Sequence, residues 1–267
     1  MYDFEYQRPS SVTDAVKALK ANGEAKVVAG GMTLIPTLKL RLAKPSALVD
    51  LGALKDLVGI RVWGGSVMVG AMTPHAVVAS SADVRKSLRA LADLAGEIGD
   101  PAVRNRGTIG GSISNNDPAA DYPAAVLALG ATVQTNERAI AADDFFKGMF
   151  ETALKSGEIV TGVNFPVAPK AAYMKFPNPA SRYAMVGVFV ASGPQGVRVA
   201  VTGAANSVFR LKDMEKKLGE KFAPEAIAKV KVSADKLNSD LHAAADYRAH
   251  LISVLAQRAV GEALGGK

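Results

Sequence analysis

Apolar positions at helical spacing alternate along the chain with short strand-like runs. Val12, Ala15, Val16 and Leu19 follow the capping-box pattern Ser11-Val12-Thr13-Asp14 and stop at Gly23, which predicts a helix over about 12 to 21. Lys26 to Ala29 is a short apolar run ending at Gly30-Gly31, and Leu34 to Leu42 resumes a helical pattern, so a strand, a glycine turn and a short helix are expected. Ala47 to Leu51 is another strand. Gly59 to Trp63 and Ser66 to Gly70 flank Gly64-Gly65, the strongest hairpin signal in the chain. Val84, Leu88, Leu91, Leu94 and Ala95 line one face of a helix expected over 83 to 96. Pro123 to Leu129 is expected to be helical, and Ala131 to Thr135 and Glu158 to Phe165 to be strands.

Four prolines, at 166, 169, 177 and 179, interrupt the pattern and place a domain boundary near residue 170. Beyond it, Met185 to Ala191 and Val197 to Ala204 form a hairpin through Gly193-Pro194-Gln195-Gly196. Helices are expected over roughly 224 to 237 and 246 to 264, the second ending at Gly265-Gly266.

Composition narrows the chemistry. The 267 residues, 49% hydrophobic and 21% charged, suffice for one large domain or a larger and a smaller one without staples. With no cysteine, the chain can hold no disulfide, thiolate zinc site, iron-sulfur cluster or cysteinyl flavin bond, so any such centre belongs to another chain. The acidic start Met1-Tyr2-Asp3-Phe4-Glu5 lacks an apolar leader segment, and no run of about 18 apolar residues occurs, which predicts a soluble cytoplasmic protein with no membrane span. The charge of +7 comes from scattered Lys and Arg without interleaved aromatics, a pattern against nucleic-acid binding. His75, His242 and His250 are too scattered for a metal site, and no Gly-x-Ser-x-Gly elbow supports hydrolysis.

Two glycine-rich segments carry the candidate chemistry. In Val27-Val28-Ala29-Gly30-Gly31-Met32-Thr33-Leu34-Ile35-Pro36, paired glycines between strand and helix let the backbone approach a phosphate, with N–H donors at the helix start. A tight turn without a ligand has the same pattern. The stretch from Arg104 to Pro123 packs glycines, hydroxyls, amides and the carboxylates of Asp117 and Asp121 together, more hydrogen-bonding capacity than a connection needs. The alternative is two loops with Asp117 and Asp121 as helix caps. Arg104 and Arg106 are candidates for phosphate contacts or for salt bridges.

Ala29-Gly30-Gly31 with Leu34 and Pro36, followed by Arg104-Asn105-Arg106-Gly107-Thr108-Ile109-Gly110-Gly111-Ser112-Ile113-Ser114-Asn115 and Asp117-Pro118-Ala119-Ala120-Asp121, resembles the FAD-binding medium subunit of the xanthine dehydrogenase and carbon monoxide dehydrogenase family, the molybdenum hydroxylases. The resemblance continues through Tyr173-Met174-Lys175-Phe176, Pro179-Ala180-Ser181-Arg182 and Tyr247-Arg248-Ala249-His250-Leu251. It implies an α+β fold: a vanillyl-alcohol-oxidase (PCMH) type FAD-binding domain over 1–170, with subdomains of about 1–55 and 56–170. A C-terminal domain over 171–267, a three-stranded sheet with helices, would follow.

Residue by residue, the resemblance implies that Val27, Val28, Ala29, Gly30, Gly31, Met32, Thr33 and Leu34 wrap the pyrophosphate, with Leu34 near the flavin ring. Thr108, Ile109, Gly110, Gly111 and Ser112 would form a second phosphate and ribityl loop. Asn115 and Asp121 would take hydroxyl or flavin contacts, Ile98 would pack beside the cofactor, and Val160 and the Lys175 amine would complete the site. A cation at the flavin's N1 and O2 edge would raise its potential. Met32 and Ser112 depart from the common pattern, where a polar residue and Asn are frequent, without removing backbone donors.

The implied activity is electron transfer by one FAD. Partners would be a small subunit with [2Fe-2S] clusters, a large molybdopterin subunit and a small-molecule acceptor, NAD, a quinone or oxygen. The segment from Pro177 to Met185 is the candidate for governing acceptor access. A stand-alone FAD oxidoreductase and a non-catalytic nucleotide-binding assembly subunit are the rivals.

Overall fold

Helix caps and strand registers, described over residues 1–265 in a computed structural model, follow most of this pattern. β1 (Glu5–Gln7), α1 (Val12–Ala21), β2 (Lys26–Val28), α2 (Leu34–Lys39) and β3 (Ala47–Asp50) make a parallel sheet ordered β1-β3-β2. The Ser11 hydroxyl accepts the Asp14 N–H at 3.0 Å and starts α1, which buries Ala15 and Leu19 against Val49, Leu51 and Leu54. Parallel pairing needs a crossover; α1 provides it between β1 and β2, and α2 between β2 and β3.

β4 (Ile60–Trp63) and β5 (Ser66–Gly70) turn through Gly64 and Gly65, both left-handed at φ +59 and +74, the geometry of a type I′ hairpin. The chain then forms α3 (His75–Ser80), α4 (Ala82–Ser87), α5 (Arg89–Gly96), α6 (Pro101–Arg106), α7 (Ile109–Asn115) and α8 (Tyr122–Ala128). It returns through β6 (Thr132–Thr135), β7 (Ala139–Ala141), α9 (Ala142–Phe145), β8 (Phe146–Gly148), β9 (Glu151–Thr152) and β10 (Val160–Pro166). The sheet ordered β4-β5-β10-β6-β7 shares a core with α5, α7 and α8, and every residue of α8 is buried.

Two expectations change here. The single helix over 83–96 breaks at Leu88 (φ −151, ψ 65), and the second piece turns to bury Ala90, Leu91, Ala92, Leu94 and Ala95, more than one helical stripe. Much of the polar motif is helical: Asp100 accepts the Val103 N–H to cap α6, with Pro101 at its first position, and Thr108 caps α7.

The remaining chain builds an antiparallel sheet of β11 (Lys170–Pro177), β12 (Ala184–Gly193), β13 (Gly196–Thr202) and the two-residue β14 (Phe209–Arg210), with α10 (Lys212–Glu220), α11 (Pro224–Ile227) and α12 (Ala245–Ala263). Three strands are long, as expected; β14 is a short fourth. The proline-marked stretch contains the edge strand β11, and Pro166 and Pro177 stand at strand ends, where a missing N–H is tolerated. One face of β12 and β13, Val186, Val188, Val190, Val199 and Val201, packs on Met214, Leu218, Ile252, Leu255 and Ala259 of α10 and α12. The other face of the sheet places Tyr173 of β11, Phe189 of β12 and Ala200 of β13 in the first core.

The helix expected over 224–237 stops at Ile227. Val230 and Val232, two residues apart, both pack against the second core, a spacing met by extended chain and not by a helix. Helix α10 had no counterpart in the sequence reading. Gly265 takes φ +83 just beyond α12, and the expected stop at Gly266 lies outside the described residues.

Candidate functional site

The two glycine-rich segments meet. A Cβ on Gly30 would lie 2.1 Å from the Arg106 carbonyl oxygen, so only glycine lets the β2–α2 turn close against the end of α6. A Cβ on Gly110 would lie 2.6 Å from the Ala71 Cβ and 2.8 Å from its carbonyl oxygen, seating α7 on the chain after β5. Across this junction the Ala29 Cβ is 3.5 Å from the position a Gly111 Cβ would take. These contacts form one wall of a cleft of about 570 Å³.

Of the residues singled out in the sequence, Val27, Ala29, Gly30, Gly31, Met32, Thr33, Leu34, Ile98, Thr108, Gly110, Gly111, Ser112, Asn115, Asp121 and Val160 line this cleft. Val28, Ile109 and Lys175 do not. Val28 belongs to β2, and Ile109 is fully buried in the first core. Lys175 stands behind Asp121, with Nζ 2.9 Å from Asp121 Oδ1 and donating to the Glu97 carbonyl at 3.0 Å. Met72, His75, Asp117, Phe150, Leu154, Ile159, Arg182 and Tyr183 also line the cleft. Arg182 and Tyr183 belong to the segment already singled out; for Phe150 and Leu154 no local motif gave a signal.

The two segments offer different chemistry. At α2, Thr33 makes no side-chain cap and the helical series starts with the Ile35 N–H donating to Gly31 O, so the N–H groups of Gly31, Met32 and Thr33 stand ahead of it. At α7 the first turn is already paired: Ile109 N–H donates to Thr73 O, Gly110 N–H to Ala71 O, Gly111 N–H to Thr108 Oγ1 and Ser112 N–H to Thr108 O. This second segment therefore presents the Thr108 and Ser112 hydroxyls and the bare surface of Gly111. Arg104 is occupied in the fold, its guanidinium donating to the carbonyls of Ile98 and Gly99 at 3.0 and 3.2 Å.

Asp121, buried in the cleft wall, is held by two side chains. Tyr173 Oη donates to its Oδ1 at 2.5 Å and Lys175 Nζ to its Oδ2 at 3.1 Å. Burial pushes the Asp121 carboxyl up, and the Lys175 ammonium opposes it. Partial desolvation pushes the Glu97 carboxyl up to about 7, again against Lys175. Burial pushes His75 down to about 4, with Arg104 adding to the shift. The Tyr183 phenol is raised by burial and then by Asp117.

A dinucleotide fits this donor set. Unpaired N–H groups and hydroxyls suit a pyrophosphate, Asn115, Asp117 and Asp121 suit ribityl hydroxyls or ring N–H groups, and Leu34, Ile98, Met72 and Val160 give apolar walls for a ring. Among the described residues no cluster of three or more His, Asp or Glu could hold a metal ion, and no helix is long and apolar enough to cross a membrane.

Residues 2–168 match the family described as the FAD binding domain in molybdopterin dehydrogenase. The chain is 36% identical to the nicotine 6-hydroxylase medium subunit of Paenarthrobacter nicotinovorans, over 97% of its own length and 96% of that protein's. It is 35% identical to the carbon monoxide dehydrogenase medium chain of Hydrogenophaga pseudoflava, with the same coverage. Among solved structures, carbon monoxide dehydrogenase from Hydrogenophaga pseudoflava lacking the Mo-pyranopterin moiety superposes with a TM-score of 0.91 at 35% identity, over 99% of this chain and 98% of that one. Quinoline 2-oxidoreductase from Pseudomonas putida 86 superposes with a TM-score of 0.90 at 29% identity and the same coverage. The α+β FAD-binding fold expected from the sequence is the fold observed.

Proposed function

The chain belongs to the family of FAD-binding domains of molybdopterin dehydrogenases, and from that premise we propose that it carries electrons from the [2Fe-2S] clusters of a small partner subunit to an acceptor such as NAD, a quinone or oxygen. It is the medium, FAD-binding subunit of an oxidoreductase of this class. A large molybdopterin subunit oxidises the organic substrate, and the complex works in the cytoplasm. The observation that carries the reading is the junction of Gly30 with Arg106 and of Ala29 with Gly111, which turns two separate segments into one cleft.

Bound FAD supplies a carrier able to exchange one or two electrons, so the chain needs no acid or base acting on the organic substrate. Its own residues bind and orient. Gly31, Met32 and Thr33 offer N–H groups to the pyrophosphate, Thr108 and Ser112 offer hydroxyls, and Asp121, fixed by Tyr173 and Lys175, presents a carboxylate to the ribityl or ring end. Arg182 and Tyr183, in the loop between β11 and β12, govern access of the acceptor. The chain carries no cysteine, which assigns the clusters to a partner. The proposed division near residue 170 is supported by β10 ending at Pro166 and β11 opening a separate sheet at Lys170. Titrating the full chain with FAD tests the cofactor reading: one bound flavin per chain supports it, and no binding sinks it.

A further inference from the structure

Phe150 combines two unfavourable features that the protein's own packing does not offset. Its backbone is left-handed at φ +56, an outlier for a bulky side chain. The residue is 58% exposed and belongs to none of the three hydrophobic cores. A residue with only a turn to make here would be Gly or Asn, and an aromatic with only packing to do would be buried.

The tip that carries Phe150 is held firmly. Its N–H donates to the Asn116 carbonyl at 3.1 Å, and the Asn116 amide donates to Gly148 O at 2.7 Å and Glu151 O at 2.8 Å. Asn116 is buried and itself left-handed, a conformation Asn tolerates, and it terminates α7. The β8–β9 tip is thus tied to the end of the helix whose first turn, Thr108 to Ser112, lines the cleft, and Phe150 lines the same cleft. An exposed ring in a strained backbone, anchored by three hydrogen bonds to a cofactor-facing helix, lacks a partner for its face.

We propose that Phe150 is a stacking platform for a planar heteroaromatic ring of the bound dinucleotide, presented to the cleft by the left-handed turn that Asn116 anchors. This rests on the FAD reading above. Isoalloxazine and adenine are both planar π-systems and both suit an aromatic face.

The test uses the full chain freed of cofactor and titrated with FAD, with FMN and ADP as competitors. F150L, which keeps bulk and strain but removes the π-face, weakens FAD about 5- to 150-fold, the range to which a base–aromatic stack of roughly 1–3 kcal/mol converts. F150Y restores binding to within about two-fold because the face returns. F150G also binds FAD weakly, yet the cofactor-free chain melts no lower than wild type, since glycine relieves the left-handed strain. The competitor that loses potency against F150L, FMN or ADP, identifies the ring. FAD affinity unchanged in F150L overturns the inference. Equal losses in F150Y, or a lower melting temperature in F150G, assign Phe150 to packing and overturn it too. A wild-type chain that binds no FAD overturns the dinucleotide reading and this inference with it, whereas wild-type binding with an indifferent F150L overturns the inference alone.

Discussion

Lys175 and Asp121 form an ion pair closed off from water, Nζ to Oδ1 2.9 Å with side chains 2% and 4% exposed, and it joins the edge strand β11 to the loop that lines the cleft. The family resemblance implies that the Lys175 amine completes the cofactor site. In the fold Lys175 Nζ is paired with Asp121, which lines the cleft.

Removing one member of this pair strands the other. K175M is expected to cost about 3–5 kcal/mol, because a buried carboxylate is left without its counter-charge. D121N with K175M should cost less than the sum of the two single changes. Urea unfolding of the four chains measures both, and additive losses would show that the two groups do not act as a pair.

The pH dependence of stability should contain two opposed contributions. His75 is a base whose folded pKa, about 4, lies below the ordinary 6.5, and its Nδ1 has no protein partner. Its contribution is complete above pH 6.5 and is lost as pH falls toward 4; the wild-type advantage over H75Q should shrink by about 3 kcal/mol between pH 7.5 and 4. Glu97 is an acid whose folded pKa is raised from 4.5 to about 7, so its carboxyl favours the fold while protonated. The wild-type advantage over E97Q should shrink as pH rises from 4.5 to 7. Denaturant midpoints across that range read both slopes, and slopes of the same sign would contradict the assignment.

The glycines should separate fold from binding. G30A and G110A force a Cβ onto backbone at 2.1 and 2.8 Å and are expected to destabilise by about 1–3 kcal/mol or more. At Gly111 the nearest atom is Thr108 Oγ1 at 3.0 Å, so G111A should leave the melting temperature near wild type while weakening FAD binding. Equal loss of stability in all three would remove the distinction.

The loop between β11 and β12 should set how the acceptor reaches the cleft. Arg182, left-handed at φ +61, and Tyr183 both line the cleft. Replacing either by alanine is expected to change the steady-state kinetics of the assembled complex toward its acceptor more than toward its organic substrate. Unchanged acceptor kinetics would count against that role.

What was legible in the sequence was local. Ser11 ahead of α1, Gly64-Gly65 in the hairpin and the Gly30-Gly31 turn announce themselves through short-range chemistry, and the two glycine-rich segments marked about half of the cleft lining. Other features depend on distant partners. The break at Leu88 serves a core built largely by later residues, and Val230 and Val232 prefer extended chain because the second core lies beneath them. Lys175 was marked as a site residue, but its pairing with Asp121 requires two segments to meet. Phe150 gave no signal, because a left-handed backbone at Phe is invisible until Asn116 is seen to hold it.

The most direct measurement is purification of the tagged chain from its native host, with subunit, flavin and metal analysis of what comes with it. The expected result is a complex with a small and a large partner chain containing one FAD per copy of this chain together with iron and molybdenum. The chain recovered alone and colourless, or with FAD but without iron and molybdenum partners, would contradict its role as the electron-carrying subunit of a molybdenum hydroxylase.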